Sequence, residues 1–470
     1  MTPGSALAFF ADGKEQKQRS LSQRRARAGQ LHRSKDYTAA PVIIGRRLMR
    51  FPAIASLGLL ALCALFGIAK ADAQSLVPVF SHQFEDGQAT LSPQLSYARV
   101  GAGPTNGIGT PITLTLSAPT VVDTFVPINS SEPTRLSVIG GGVTVLAGQS
   151  MASVTVTALV EGATPVVLSA QFGNAAHSSV RVVGAMEVPG FSITPLNPHV
   201  MPGGLRTLTV MPLIPPPPGG TLAGFSVSPV GAGSTSAPTL DFPADTLAAQ
   251  TINYTDANVV GQSSVTVQAS GGPASSTNII VAPIGKLVIN EVDYDNVSNP
   301  DTREFIEIYN RSPDIVPLMG VSVVLINGTS GPGTQYAGYD LGAAATQLAP
   351  GQYLVIRQAD VALPVGTAFI DFSPPPGENV IHNGVSDGLA IVDVEAQALI
   401  DALSYEGSII AASIPGFSSP VSLVEGMSTS VVDSNTVVGS LSRFPNGIDA
   451  NNAATDFHFA TTLTPGAANQ

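Results

Sequence analysis

Short runs of alternating apolar and polar residues recur along most of this chain. Ile112-Thr113-Leu114-Thr115-Leu116, Val143-Thr144-Val145 and Val154-Thr155-Val156-Thr157 each repeat with period two. A strand with one buried face needs that period, because successive side chains point to opposite faces. Val166-Val167-Leu168-Ser169-Ala170 and Ser179-Val180-Arg181-Val182-Val183 complete a first set, read as an Ig-like module over residues 91–184. A second set repeats the order. Leu205 to Val210 takes the place of Ile112 to Leu116, Ser264 to Ala269 takes that of the later strands, and Asn278 to Val281 closes it as Val180 to Val183 closed the first. This is a degenerate tandem repeat, with the second module over residues 190–283. Pro215-Pro216-Pro217-Pro218-Gly219-Gly220 interrupts it and predicts a stiff loop, since proline cannot donate to a strand ladder.

From residue 285 to 470 the pattern persists with more specific punctuation. Leu287 to Asn290 reads as a strand. Asp293, Asp295, Asn296, Ser298, Asn299, Pro300 and Asp301 are turn formers. Glu304-Phe305-Ile306-Glu307-Ile308-Tyr309 then alternates acidic and apolar, as a half-buried strand would. The motifs INEVDYDN, EFIEIYN, LAPGQYLVI, SDGLAIVD, DALSYEG, SLSRFPNG and TPGAAN occur in this order through the segment. Together they resemble the lamin-tail domain of secreted bacterial proteins. The resemblance implies an Ig-like β-sandwich, in agreement with the strand-and-turn reading. One departure concerns the core. The family usually carries Trp after its Leu-x-Gly turn, whereas Val321 follows Gly320 here and the chain has no Trp. Smaller side chains must fill that space. The expected fold class is therefore all-β: tandem Ig-like sandwiches followed by a C-terminal lamin-tail sandwich.

The N-terminal 73 residues differ in character. Residues 1–48 are basic and polar, and are read as an extended or mis-started N-terminus. Met49-Arg50 precedes the apolar stretch Ile54 to Ile68, and Ala71-Asp72-Ala73 offers an A-x-A cleavage site. Residues 49–73 thus predict a signal peptide cleaved after Ala73, which implies a secreted protein, periplasmic or extracellular. No anchor is expected in the mature chain. Cleavage would remove Cys63, the only cysteine, and with it thiol catalysis and thiolate metal sites. It would also leave 9 Lys and Arg against 29 Asp and Glu, a net charge of −20. Such a surface repels phosphate backbones, so no nucleic-acid partner is expected.

Catalytic motifs do not emerge. The sequence holds no G-x-S-x-G elbow, no P-loop and no G-x-G-x-x-G before a helix, and no residue is assigned a catalytic or cofactor-binding role. His382 and His458 lie far apart and outside metal-ligand spacing, and are read as loop or edge residues. Tyr294, Tyr309, Tyr336, Tyr339 and Tyr353 are read as strand tyrosines packed with one end wet. The best candidate chemistry is the acidic loop. Asp293, Asp295 and Asp301, with Glu291, Glu304 and Glu307 around them, offer the oxygen ligands that Ca²⁺ prefers. The spacing is not that of an EF-hand, because Val297 takes a ligand position. The competing reading is a turn whose Asp and Asn side chains cap backbone groups. Asn446 to Asn452 poses the same pair of readings. The functional expectation is a non-catalytic binding, adhesion or scaffold protein whose lamin-tail domain contacts an envelope, matrix or protein ligand. The alternatives are a metal-dependent extracellular hydrolase using the acidic-loop carboxylates, and a self-associating matrix protein.

Overall fold

Alternation of burial along a strand decides which residues face a core. The computed structural model describes residues 88–258, 262–297, 300–329, 331–372 and 379–470. The basic extension, the signal segment with Cys63 and Ala73, and Ser298 and Asn299 of the acidic loop lie outside the described residues. In the first module, Val166–Phe172 and Asn174–Val183 form a hairpin that alternates buried and exposed residues. They lie in a five-stranded sheet with Leu95–Arg99, Thr124–Ser130 and Gly142–Val145. A three-stranded sheet of Ala89–Ser92, Thr113–Leu116 and Met151–Ser153 contributes Leu91, Leu114 and Leu116 to the same core.

The second module repeats this plan. Phe191–Thr194 pairs with Leu205–Pro212, as Ala89–Ser92 pairs with Thr113–Leu116. In both modules a proline, Pro93 or Pro195, ends the first strand, and the chain crosses to the opposite sheet. There it pairs in parallel with the module's last strand: Leu95–Arg99 with Ser179–Val183, and His199–Val200 with Ile280–Val281. The shared strand switch carries the repeat down to hydrogen-bond topology. Each module has its own apolar cluster, one between Ala89 and Val182 and one between Phe191 and Val281.

The C-terminal sandwich is larger. Its six-stranded sheet runs Ala368–Asp371, Tyr353–Arg357, Phe305–Asn310, Leu287–Asp293, Ser440–Arg443, Phe457–Ala460. Facing it, a five-stranded sheet runs Ala398–Tyr405, Asp387–Asp393, Val321–Asn327, Gly333–Asp340, Ala412–Ser413. Val321 is buried in the shared core among aliphatic residues and the stacked Tyr294–Tyr405 pair, whose centroids lie 4.2 Å apart. One expectation is corrected here. The Glu304–Tyr309 segment was expected to be half-buried, yet Phe305–Asn310 and all of Leu287–Asp293 are covered on both faces, Tyr309 alone being half-buried. The C-terminal segment folds over the outer face: Thr464 donates to Glu291 and the Gly466 N–H to Glu307. An alternating pattern reports that two faces differ. It does not report that the polar face is wet.

The modules are joined by buried polar contacts. Arg99, at 2% exposure, donates to the carbonyls of Gly184, Pro215 and Pro216 at 2.8–3.0 Å. The proline run is the stiff loop its sequence predicted. Prolines also lack the N–H groups that would draw a partner strand, so their carbonyls stay available to a donor from outside the ladder. Tyr97, Ile108 and Val183 of the first module pack against Ile214 of the second. At the second junction, His199 Nδ1 lies 2.6 Å from Asp393 Oδ2, and Arg206 pairs with Glu395 at 2.6 Å. Gly320 makes room there: its φ is +73°, and a Cβ would sit 2.5 Å from His199 Cε1.

Arg99→Met leaves the buried Pro215 carbonyl without its donor and takes one donor from the carbonyls of Gly184 and Pro216, which keep the N–H groups of Glu187 and Asp245, and should cost about 2–4 kcal/mol in urea unfolding. Arg135→Met, which breaks a short-range pair with the exposed Glu132, should cost about 1 kcal/mol or less. Equal losses for the two variants would contradict the buried-junction account.

Candidate functional site: the buried carboxylates of the C-terminal sandwich

Two acidic clusters occupy this sandwich, and their electrostatics differ. The first surrounds Arg443, the last residue of the strand Ser440–Arg443, which lies beside the edge strand of the six-stranded sheet. Its side chain is fully buried. Nη2 makes a two-oxygen contact with Asp401 at 3.0 Å to each oxygen, Nη1 bonds Asp456 at 3.2 Å, and Nε donates to the Ile289 carbonyl at 2.8 Å. Glu425 and Asp449 stand 3.6 and 3.7 Å away, and the guanidinium lies over the Phe457 ring at 4.6 Å. Burial alone would lower the Arg443 pKa, but the surrounding carboxylates together raise it. Asp401, Glu425 and Asp449 are spaced so that they could hold a metal ion. The guanidinium already supplies the cation there, which makes this a structural centre.

A polar layer continues from it beneath the C-terminal segment. Asn290 donates to Glu307 at 2.7 Å and accepts from the Gly447 N–H at 2.9 Å. Asn469 donates to the carbonyls of Asn290 and Arg443. Asn446 accepts from the Asn469 N–H and donates to the Tyr353 hydroxyl. The Asn446-to-Asn452 turn is thus bound into the polar core, with Asp449 bridging Arg311 and Arg443. Burial pushes Glu307 up to about 8, although Asn290 and the Gly466 N–H favour its charged form.

The second cluster is the acidic loop and its surroundings. Asp293, the last residue of its strand, is buried at 1% exposure. Asp295 is half-buried, and its Oδ1 accepts from Asn383 at 3.0 Å. Asp301 is buried, and its carbonyl accepts from Gln358. The carboxylate oxygens of Asp293, Asp295 and Asp301 do not form a group within 4.8 Å of one another. Asp293 meets Asp433 instead, a residue the sequence reading did not single out. Asp433 is held by three backbone N–H groups, those of Tyr294 (2.8 Å), Asp295 (3.2 Å) and Ser434 (2.8 Å). Its own N–H donates to the Tyr294 hydroxyl at 2.9 Å. Burial, and then the facing Asp433 carboxyl, raise the Asp293 pKa. Glu304 accepts from the backbone N–H groups of Val380 and Ile381 at 2.7 and 3.0 Å, and burial pushes it up to about 8.

The other candidates are placed as follows. His382 stacks on Tyr336 at 3.8 Å and bonds Asn327, and burial lowers its pKa. His458 sits on the edge strand Phe457–Ala460 against Phe444. Tyr309 and Tyr353 stack on each other at 4.8 Å, and Tyr339 packs on Phe372.

Two facing sheets with covered outer faces, closed by a C-terminal polar layer, define an Ig-like β-sandwich with a structural polar core. Residues 281–407 match the family model described as Lamin Tail Domain, so this chain carries a lamin tail domain behind two Ig-like sandwiches. The strands Ser440–Arg443 and Phe457–Ala460 lie beyond the matched segment and complete its six-stranded sheet. No curated protein matches the chain. Among solved structures it is similar to the Yersinia pseudotuberculosis adhesin InvE (18% identity, TM-score 0.20, covering 49% of this chain and 69% of that one). It is also similar to domains 4 and 5 of the S-layer protein SbsC (14% identity, TM-score 0.18, 38% and 86% covered) and to the D0-D1 domain of intimin (19% identity, TM-score 0.17, 41% and 97% covered). These scores are too low to add to the topology described above. No helix among the described residues is long and apolar enough to cross a membrane.

The raised carboxyl of Glu307 gives a pH dependence of definite sign. A folded pKa above the unfolded value means that the folded state holds the proton more tightly. Its contribution is fully present below about pH 4.5 and is lost as pH rises towards about 8. Urea-unfolding stability should therefore fall across that window, and Glu307→Gln should flatten the slope by up to about 1.4 kcal/mol per pH unit. An unchanged slope would show that Glu307 is already ionised at acid pH.

Proposed function

We propose that the chain is an exported, non-catalytic binding protein in which two Ig-like sandwiches present the lamin tail domain to an envelope, matrix or protein ligand. The carrying observation is the construction of the two junctions. Arg99 is buried against the Pro215 and Pro216 carbonyls, and His199 against Asp393. Flexible linkers would let successive domains reorient; buried directional hydrogen bonds between neighbours hold them in one arrangement. A protein that must offer one domain at a fixed distance from the rest of its chain requires that arrangement. Export is supported by the apolar stretch and A-x-A site before Gln74, and the acidic mature composition favours partners other than nucleic acid. The lamin tail domain supports the binding role by analogy of fold, and its ligand is taken from that analogy.

Co-sedimentation of the purified mature chain with cell-envelope fractions tests this reading. Retention should saturate and be competed by unlabelled protein. It should vanish when Lys286 to Gln470 is removed, with the β-sheet circular dichroism of the remaining sandwiches preserved. Linear, non-competable retention, or retention that survives the truncation, would contradict it.

A further inference from the structure

The two acidic clusters of the lamin tail domain pose one physical problem and differ in the answer. A buried carboxylate is costly unless a donor, a cation or a proton compensates it. Around Arg443 the compensation is a guanidinium. At the acidic loop, none of Asp293, Asp295, Asp301, Glu304 and Asp433 takes part in an ion pair among the described residues. Most of these carboxyls are served by neutral donors: Glu304 by two backbone N–H groups, Asp433 by three, Asp295 by Asn383. Asp293 differs from these three. It is 1% exposed, and its Oδ1 has no hydrogen-bond partner. Its carboxyl faces that of Asp433 closely enough to share a proton, and two facing carboxylates need either that proton or a cation between them.

We propose that Asp293 and Asp433 bind a hard divalent cation, Ca²⁺, in the position that Arg443 fills in the neighbouring cluster. The donor chemistry selects the ion class. Carboxylate oxygens without a thiolate or imidazole beside them suit Ca²⁺ rather than Zn²⁺, and Ca²⁺ tolerates an irregular shell completed by water. Asp433 is prearranged, because three backbone N–H groups hold its carboxyl and its own N–H is anchored on the Tyr294 hydroxyl before any ion arrives. Asp293 closes the site from the end of its strand. The ion joins that strand end to the Asp433 segment, 140 residues further along the chain. With only two protein carboxylates, affinity belongs in the range of extracellular modules, with half-saturation on the order of 0.1–1 mM.

The test uses the full mature chain at physiological salt, in EDTA, in Ca²⁺ and in Mg²⁺. Equilibrium dialysis should show one saturable Ca²⁺ per chain. The melting temperature should rise by a few degrees as Ca²⁺ passes about ten times its dissociation constant. Asp293→Asn should remove both effects, as should Asp433→Asn, while Asp340→Asn, an exposed carboxyl on the strand Gly333–Asp340, should leave them unchanged. Two results would overturn the proposal. One is linear, unsaturable Ca²⁺ uptake by the unaltered chain, which needs no variant to fold. The other is an Asp293→Asn protein as stable as the parent in EDTA, with an unaltered Ca²⁺ response. In either case the two carboxyls share a proton instead.

Discussion

A carboxylate placed inside a β-sandwich must find a compensating charge or proton, and the lamin tail domain is arranged around that requirement. Arg443 meets it on the strand next to the edge of the six-stranded sheet. Its guanidinium reaches Ile289 on the neighbouring strand, Asp401 on the edge strand of the opposite sheet, and Asp456 just before the last strand. Asp401 in turn accepts from the Ile289 N–H at 2.7 Å. One buried ion centre thus ties both sheets and the C-terminal segment together. Apolar packing would serve the energy of burial as well or better. The charged centre adds direction: Arg443 can satisfy this set of partners only when the strand Ser440–Arg443 lies in its observed register. The specificity role is a hypothesis for this domain, and it fits strands that lie outside the matched family segment yet complete the sheet.

Direction also governs the junctions between domains. The proline run of the second module offers carbonyls that no strand has claimed, and Arg99 of the first module takes them up. At the other junction Asp393 faces His199 and also accepts from the Ala396 N–H. Small residues, Ala282, Ala396 and Ala398, allow the close approach there. The same physical means, a buried polar group aimed at a partner in the next domain, appears at both joints, and it is what gives a string of sandwiches a defined arrangement.

Much of the fold was legible in the sequence. Period-two runs located the strands of both Ig-like modules, the tandem repeat extends to the strand switch after Pro93 and Pro195, and the ordered motifs pointed to the lamin tail domain. The site was less legible. The acidic loop drew attention to Asp293 through its local density of Asp and Asn, but the residue that faces it, Asp433, lies in an unremarkable stretch far along the chain. Arg443 sits in the motif SLSRFPNG, where nothing local distinguishes a buried cation from a surface one. Long-range pairing decides both, and periodicity does not encode it. The acidic strand Phe305–Asn310 misled for the same reason: its polar face is dry because a distant C-terminal segment covers it.

The central claim is that the carboxylates of Asp293 and Asp433 are held ready for an ion the chain does not itself supply. Anomalous diffraction from crystals of the mature protein grown with Tb³⁺ in place of Ca²⁺ tests it most directly, because it locates the ion. The account predicts one strong peak between the two carboxyl groups and none beside Arg443, whose guanidinium already fills that cluster. A peak among Asp401, Glu425 and Asp449, or no peak between Asp293 and Asp433, would contradict it.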